Sequence, residues 1–502
     1  MNKILVSLCC LVSVCKVSAT TWHVGSTRTY TVPSQVQNLI SDGDTIYLDG
    51  GIYSNDAVKW THKNLKFRGL GLPTNRTILR YTGNIPNGKG IWVFETPGTC
   101  DNAFIENIVF DGAQVTDAGG ANGAGVRYQA NNLTVLNCKF MNCQNGILEG
   151  NGLVTTSNVT ILHTEFQNNG YQLPNDPTYS GYEHGIYINA STDTLLVMGC
   201  YFHDPRGQGN LLKTRAQRAF ILYNMIDEGA GFGSWNINVA QGGLNVVMGN
   251  VIVQGVAGAN HGIIGYDAAI NPLEDFYFVN NTVINKYNGT IKYFNVVPTT
   301  GINTFKVYNN IFASVSTASN TFMTGTIPSS LDTSHNLIVP DYTALGFTNA
   351  IGEDYSLTAA SSQAINTGIN AGTTNTGYLL MPDSMYKSFD TTLIPRIVLG
   401  GTIDIGAYEY GLNTGIENAS TTNWLLFPNP ANNEINVECL NPSSEKSVIE
   451  IYNASGCLLL NHELLPGQRG MNIKTSAFAA GIYVINIRTG GNLVRRKITI
   501  VK

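Results

Sequence analysis

The sequence predicts an all-β protein built as a solenoid of stacked coils. Similar hydrophobic strands recur at irregular intervals, glycine-rich turns separate them (53 glycines), and almost no segment shows helical periodicity. The recurring strands are FIENIVF, VLNCKF, ILHTEF, VMGCYF, LYNMI, VMGNVI, VNNTVI and VYNNIF. Aligned on their final apolar residue and stepped back two, they share one column: Ile108, Cys138, Thr164, Cys200, Asn224, Asn250, Thr282 and Asn310. A column mostly of Asn, Cys and Thr fits an inward position where stacked side chains hydrogen-bond along the axis. At 502 residues the chain is too long for one compact domain, but it suits a repeat array with accessories.

The elements follow in order. In MNKILVSLCCLVSVCKVSA, Lys3 precedes an apolar run and Val17-Ser18-Ala19 offers a cleavage site, so residues 1–19 read as a secretory signal peptide. Val36–Ile40 predicts an amphipathic cap, and Thr45–Leu48 the first strand. The repeat over residues 20–350 resembles a right-handed parallel β-helix. Residues 351–411 resemble the closing region of secreted bacterial β-helix proteins, through DYSLTAASSQAINTG and DIGAYEYG. LNTGIENASTTN, residues 412–423, predicts a polar linker.

The tail, 424–502, carries LLFPNPANNEINV, IEIYNASGCLLL and FAAGIYVINIRTGGNLVRRKITIVK. These segments resemble the C-terminal sorting domain of the type IX secretion system. That resemblance implies export to the cell surface or beyond, with the secretion machinery as partner. Period-2 alternation and the PNPANN and NASG turns predict a small β-sandwich here.

Net charge is −5 with 13% charged residues, so no global basic field draws the chain to nucleic acid. Beyond the signal no segment reaches transmembrane length, and a monomer is expected. Past residue 19 the cysteines are Cys100, Cys138, Cys143, Cys200, Cys439 and Cys457, too few for a disulfide scaffold and without zinc-site spacing. They read as small buried hydrophobes, with a Cys439–Cys457 bridge left open.

The chemistry concentrates in HGIYIN (184–189), NLLKTR (210–215) and SWNINV (234–239). Strand side chains alternate faces. With Ile186, Ile188, Leu212, Thr214, Ile237 and Val239 inward, Tyr187, Asn189, Lys213, Arg215, Asn236 and Asn238 point out. Three coils then form one polar strip. Cleavage of a uronic-acid polymer by β-elimination needs a cation or metal on the carboxylate, a base for the adjacent proton and an acid for the leaving oxygen. Arg215 suits the carboxylate and Lys213 the base. Tyr187 or His184 suits the proton donor, with His184 the alternative base. Asn189, Asn236, Asn238 and Trp235 would bind substrate. The bland alternative is a solvated Lys/Arg pair beside a structural tyrosine.

Other signals compete less well. Asp227 and Glu228 are adjacent carboxylates at a turn, with Asp204, Glu183 and Asp267 in similar loops. These acids suit a glycosidase pair or a Ca²⁺ cage, but turn formation explains them more simply. Phe232 and Trp235 would stack on a sugar or fill the coil. GGANGAG (119–125) reads as a turn, and His261 as locally hydrogen-bonded.

His184–Ile188, Asn210–Ala216 and Gln241–Gly243 resemble a group of bacterial β-helix proteins carrying N-L-L-K-T-R-A-like and Q-G-G segments. More distantly they resemble the alginate lyase and chondroitinase B family. That resemblance implies a Lys and an Arg on neighbouring coils, with calcium nearby; here Arg215 shares the strand of Lys213. The expected function is an exported lyase for an acidic polysaccharide. A C5-epimerase, a glycoside hydrolase and a noncatalytic glycan-binding or adhesive protein are the alternatives.

Overall fold

The computed structural model describes residues 19–150, 157–170, 181–267, 270–297, 301–387, 391–411 and, apart from positions 428, 430, 440–441, 454–457, 480 and 491, residues 424–500. The expected signal peptide and linker lie outside the described residues, as does Cys457 and with it the expected bridge.

Three long parallel sheets run the length of the solenoid. Among the described residues the first holds 12 strands, from Thr21–Val24 to Leu331–Ser334, the second 11, from Gly51–Ser54 to Leu337–Val339, and the third 10, from Val58–Trp60 to Ser319–Gly325. Each coil visits the sheets in that order, so every strand pairs with its counterpart one coil away. The first strand is Thr21–Val24, one coil earlier than expected, paired in register with Thr45–Leu48. Val36 and Ile40 are buried as the expected cap.

Between the first and second sheets the chain turns through one residue of positive φ, as at Asn107, Asn137, His163, Tyr223 and Asn280. The next residue points inward. Asn224 N–H and Nδ2 both donate to Asn250 Oδ1 (2.9 and 2.9 Å), Asn250 to Asn281 Oδ1 (3.0 and 3.0 Å) and Asn281 to Asn310 Oδ1 (2.8 and 3.0 Å). This is the expected column with one correction. Asn281, not Thr282, is its member, because Val283 rather than Ile284 aligns with Ile252. Cys138 and Cys200 occupy the same column as buried thiols, raised to about 12 by burial.

On the inner side of the second sheet, Phe110, Phe140, Phe166 and Phe202 stack with ring centroids 4.9, 5.2 and 4.5 Å apart. Gly146 makes room for that stack, since a Cβ there would lie 2.8 Å from the Phe166 ring.

Later chain covers two of the three outer faces. Leu345, Phe347, Tyr355, Met385, Tyr386 and Tyr408 pack with Met225, Val251, Val253 and Ile284 over the second sheet. Tyr378, Leu380, Leu425 and Phe427 pack with Phe220, Leu222, Val246 and Tyr277 over the first. The DIGAYEYG segment is fastened by Arg396, fully buried, which donates to Gly406 O (2.9 Å), Asp404 O (2.9 Å) and Glu409 Oε2 (3.1 Å). Residues 424–500 form a three-stranded and a four-stranded antiparallel sheet around Ile435, Val437, Ile449, Ile451, Ile485 and Ile498, a small β-sandwich. It meets the first sheet through Arg68, which pairs with Glu106 and Glu438.

Candidate active site

The strip lies on the outer side of the third sheet. Ile186, Leu212 and Ile237 are in register and buried, so their neighbours Tyr187, Lys213 and Asn238 form one outward row. Lys213 Nζ lies 4.9 Å from the centroid of the Tyr187 ring and Arg215 Cζ lies 5.5 Å from it, so the electron-rich face of one phenol holds both cations. Neither cation forms an ion pair among the described residues, and Arg215 Nε is shielded from solvent without an acceptor. Burial holds the Lys213 ammonium below its ordinary pKa and the charge of Arg215 lowers it further, while Asp267 opposes the shift. A lysine on this strip therefore reaches its basic, neutral form more readily than a free one.

His184 has a different position from the one expected of an acid or base. It is buried, its Nδ1 accepts the Asn210 N–H (2.9 Å), and its own N–H donates to Asn145 Oδ1 (2.9 Å). Burial, then Lys213 and Arg215, push its pKa well down. With its Nδ1 lone pair taken by the Asn210 N–H, the buried ring is poorly placed to take a substrate proton. It packs edge-on against Tyr187 (5.4 Å, 84°) and acts as a support for that ring.

Asn236 is a correction too. Asn236 lies within the strand Trp235–Val239 but turns toward the coil interior, so simple alternation does not hold at it. There it is fully buried, with Nδ2 donating to Ile226 O (3.3 Å) and Val253 O (3.0 Å). Asn238 does lie beside Lys213, with Nδ2 donating to Asp267 (2.9 Å). Asn189 follows Ile188 and is half-buried, its N–H donating to Glu149 Oε2 (2.9 Å). Trp235 does not fill the coil. It lies half-exposed across Gly262 and Gly265 of the next coil, and a Cβ at Gly262 would sit inside its ring at 1.9 Å. His261 stacks on Tyr287 (3.7 Å, 8°) instead of bonding locally, and its Nδ1 has no partner.

Of the competing acids, Asp267 lies by the strip, where it accepts from Asn238, and Glu183 is buried next to His184; the others are elsewhere. Asp227 is buried beneath the cover of the second sheet, near Glu353, and Glu228 is fully buried beside Gln254 and Gly255. Asp204 accepts from His203 (2.7 Å). Among the described residues no three His, Cys, Asp or Glu side chains converge as a metal cage would require, so the donor set expected for calcium is not assembled by them. A cleft of about 840 Å³ lies between the first sheet and the sorting domain, where Arg68 and Lys474 are paired with acids.

Sequence reasoning missed one cation of the strip. Leu148 pairs with Tyr187 and Arg127 with Leu148, so Arg127 stands two coils before Tyr187 in the same outward row. The alternation in AGVRY (124–128) contains it, but that strand precedes the recurring HGI and NGI segments and was not aligned with them.

Residues 49–217 match the family model for a right-handed β-helix region, and residues 425–501 match that for a secretion system C-terminal sorting domain. No curated protein matches. Similar solved structures include pectate lyase Pel9A, at 13% identity and a TM-score of 0.48, covering 78% of this chain and 97% of that one. Another is the PL6 family alginate lyase AlyGC, at 12% identity and a TM-score of 0.37, covering 72% of this chain and 54% of that one. No helix among the described residues is long and apolar enough to cross a membrane. The chain is a right-handed parallel β-helix that its C-terminal sorting domain directs through type IX secretion to the cell surface or the extracellular space.

Proposed function

We propose that the protein is a polysaccharide lyase acting on a uronic-acid polymer. The observation that carries this reading is the pair Lys213 and Arg215, without an ion pair among the described residues and held on a single tyrosine ring. A groove along stacked strands suits a chain-like ligand, and unpaired cations there suit an acidic one.

Arg215 binds the uronate carboxylate and disperses the charge that develops when the adjacent carbon loses its proton. Lys213, as the neutral amine, takes that proton. The electron pair of the broken C–H bond becomes a carbon–carbon double bond, and the glycosidic C–O bond breaks on its far side. The leaving oxygen receives the proton of the Tyr187 hydroxyl, which is restored from the Lys213 ammonium through solvent. No oxidant or water is consumed, and the products are a new reducing-side fragment and an unsaturated sugar. His184 orients the Tyr187 ring; Asn189, Asn238 and Trp235 contact neighbouring sugars.

The test is incubation with a panel of uronate polymers, following ultraviolet absorbance from the new double bond. A rise on at least one polymer is expected. Sugar inversion without cleavage would replace the reading with an epimerase, reducing ends without absorbance with a hydrolase, and binding without any product with a glycan-binding module.

A further inference from the structure

Many cations of this solenoid are matched to acids: Arg28 with Asp49, Lys59 and Lys89 with Glu95, Arg80 with Asp111, Lys139 with Glu165, Arg218 with Asp193 and Lys286 with Glu353, while Lys66 is exposed and Lys306 donates to Ala371 O (3.2 Å). Arg127 is different. It stands in the outward row of Lys213, half-buried, with its Nε shielded from solvent and no acceptor among the described residues. Its nearest acid, Glu149, is already engaged by Asn189 N–H (2.9 Å) and Ser191 Oγ (3.2 Å), and burial pushes that carboxyl up to about 7. Arg127 therefore bears a desolvation cost without the ion pair that repays it elsewhere in this chain.

We propose that Arg127 is a second anion-binding position on the third sheet, taking an acidic group of the same polymer several sugars away from the one at Arg215. This rests on the lyase reading of the strip. Arg127 is three coils from Lys213, roughly 14 Å at the spacing of parallel strands. A single uronate cannot reach both positions; an oligosaccharide with repeated anionic groups can. Between them in the same outward row lie Leu148, almost fully buried, and Tyr187, half-buried. The site thus selects for chain length and for charge repeated along the chain.

Size-graded acidic oligosaccharides from a polymer that the protein cleaves test this, with kcat and KM measured for the full chain and for R127Q, and with R127M as a second variant that keeps the aliphatic stem. For the wild type KM should fall as length increases until Arg127 is reached. For both variants that fall should be missing, with KM on long substrates raised about tenfold or more, KM on the shortest substrate unchanged, and kcat preserved. Melting of each variant like the wild type establishes that the fold is intact. Equal KM for wild type and variants at every length overturns the Arg127 site while leaving the lyase reading standing. Absence of cleavage and binding by the wild type itself overturns both.

Discussion

The outer faces of the second and third sheets are built from the same coils and handle charge in opposite ways. On the second, Lys139 meets Glu165, which also accepts from His203, and Lys286 meets Glu353, all beside the apolar cover contributed by residues 345–408. On the third, Arg127, Lys213 and Arg215 lie partly desolvated and form no ion pair among the described residues. A charge shut away from water needs a partner, and a covered face can draw one only from its own chain. An uncovered face can receive one from outside. The difference teaches that pairing, more than exposure, separates structural cations from waiting ones in this molecule.

That comparison breaks most sharply between two substitutions. Arg396→Met leaves Glu409 buried without its cation, and breaking such a pair costs about 3–5 kcal/mol. Denaturant unfolding should show that loss directly. Lys213→Met removes a cation that supports nothing, so stability should hold within about 0.5 kcal/mol while turnover falls on the order of 10²–10⁴-fold. If Lys213→Met unfolds readily and keeps its turnover, the strip is structural and the comparison is reversed.

An intermediate effect is expected inside the coil. Asn250 Oδ1 accepts both the N–H and Nδ2 of Asn224, so Asn250→Leu strands the buried Asn224 N–H and leaves Asn281 Oδ1 with the backbone N–H alone, which should cost about 1–3 kcal/mol or more. Turnover per folded molecule should not change. Loss of activity in the folded fraction would show that the ladder does more than hold coils together.

These contrasts also explain what the sequence disclosed. Inward columns are legible because a solenoid repeats its demands: every coil must fill the same place, so Cys138, Cys200, Asn224, Asn250 and Asn310 announce themselves at their spacing. Thr282 was misplaced by one because VNNTVI offers two apolar residues as the alignment end. The outward row was legible where strands alternate cleanly, as at Tyr187 and Lys213. It failed at Asn236, which turns toward the coil interior, and at His184, whose role follows from an Asn210 N–H that no spacing reveals. The covers over the first two sheets were invisible for a related reason. Contacts between Tyr223 and Asp383 (3.1 Å), or Asn280 and Asp404 O (3.0 Å), join residues more than a hundred apart without any repeat to align.

A smaller effect sharpens the role of Lys213. Because the charge of Arg215 helps to lower its pKa, Arg215→Gln should let that pKa rise toward 10.5. Activity on a cleavable polymer should then need a higher pH, the ascending limb of kcat against pH moving upward, alongside weaker carboxylate handling. Asp267→Asn should move it the other way, since Asp267 raises the Lys213 pKa. A limb unmoved by either change would mean that some other group supplies the base.

The smallest expected effect concerns acids buried without charge partners. Burial raises Glu228 from its ordinary 4.5 to about 9 and Glu183 to about 8. The folded chain then holds protons that the unfolded chain releases above about 4.5, so stability must fall as pH rises toward 9 and be fully present only below 4.5. Glu228→Gln removes one of those protons while keeping an acceptor for Gly255 N–H (3.1 Å). Its melting temperature between pH 5 and 9 should decline less than that of the wild type. Lys213 favours the opposite direction, needing its amine neutral for catalysis, so activity should climb with pH until the buried carboxyls begin to ionise and the fold loosens. In Glu228→Gln the alkaline edge of the activity profile should therefore extend upward although no group on the strip has changed. An alkaline edge identical to that of the wild type, with the melting curve flattened as expected, would place that edge in the strip itself.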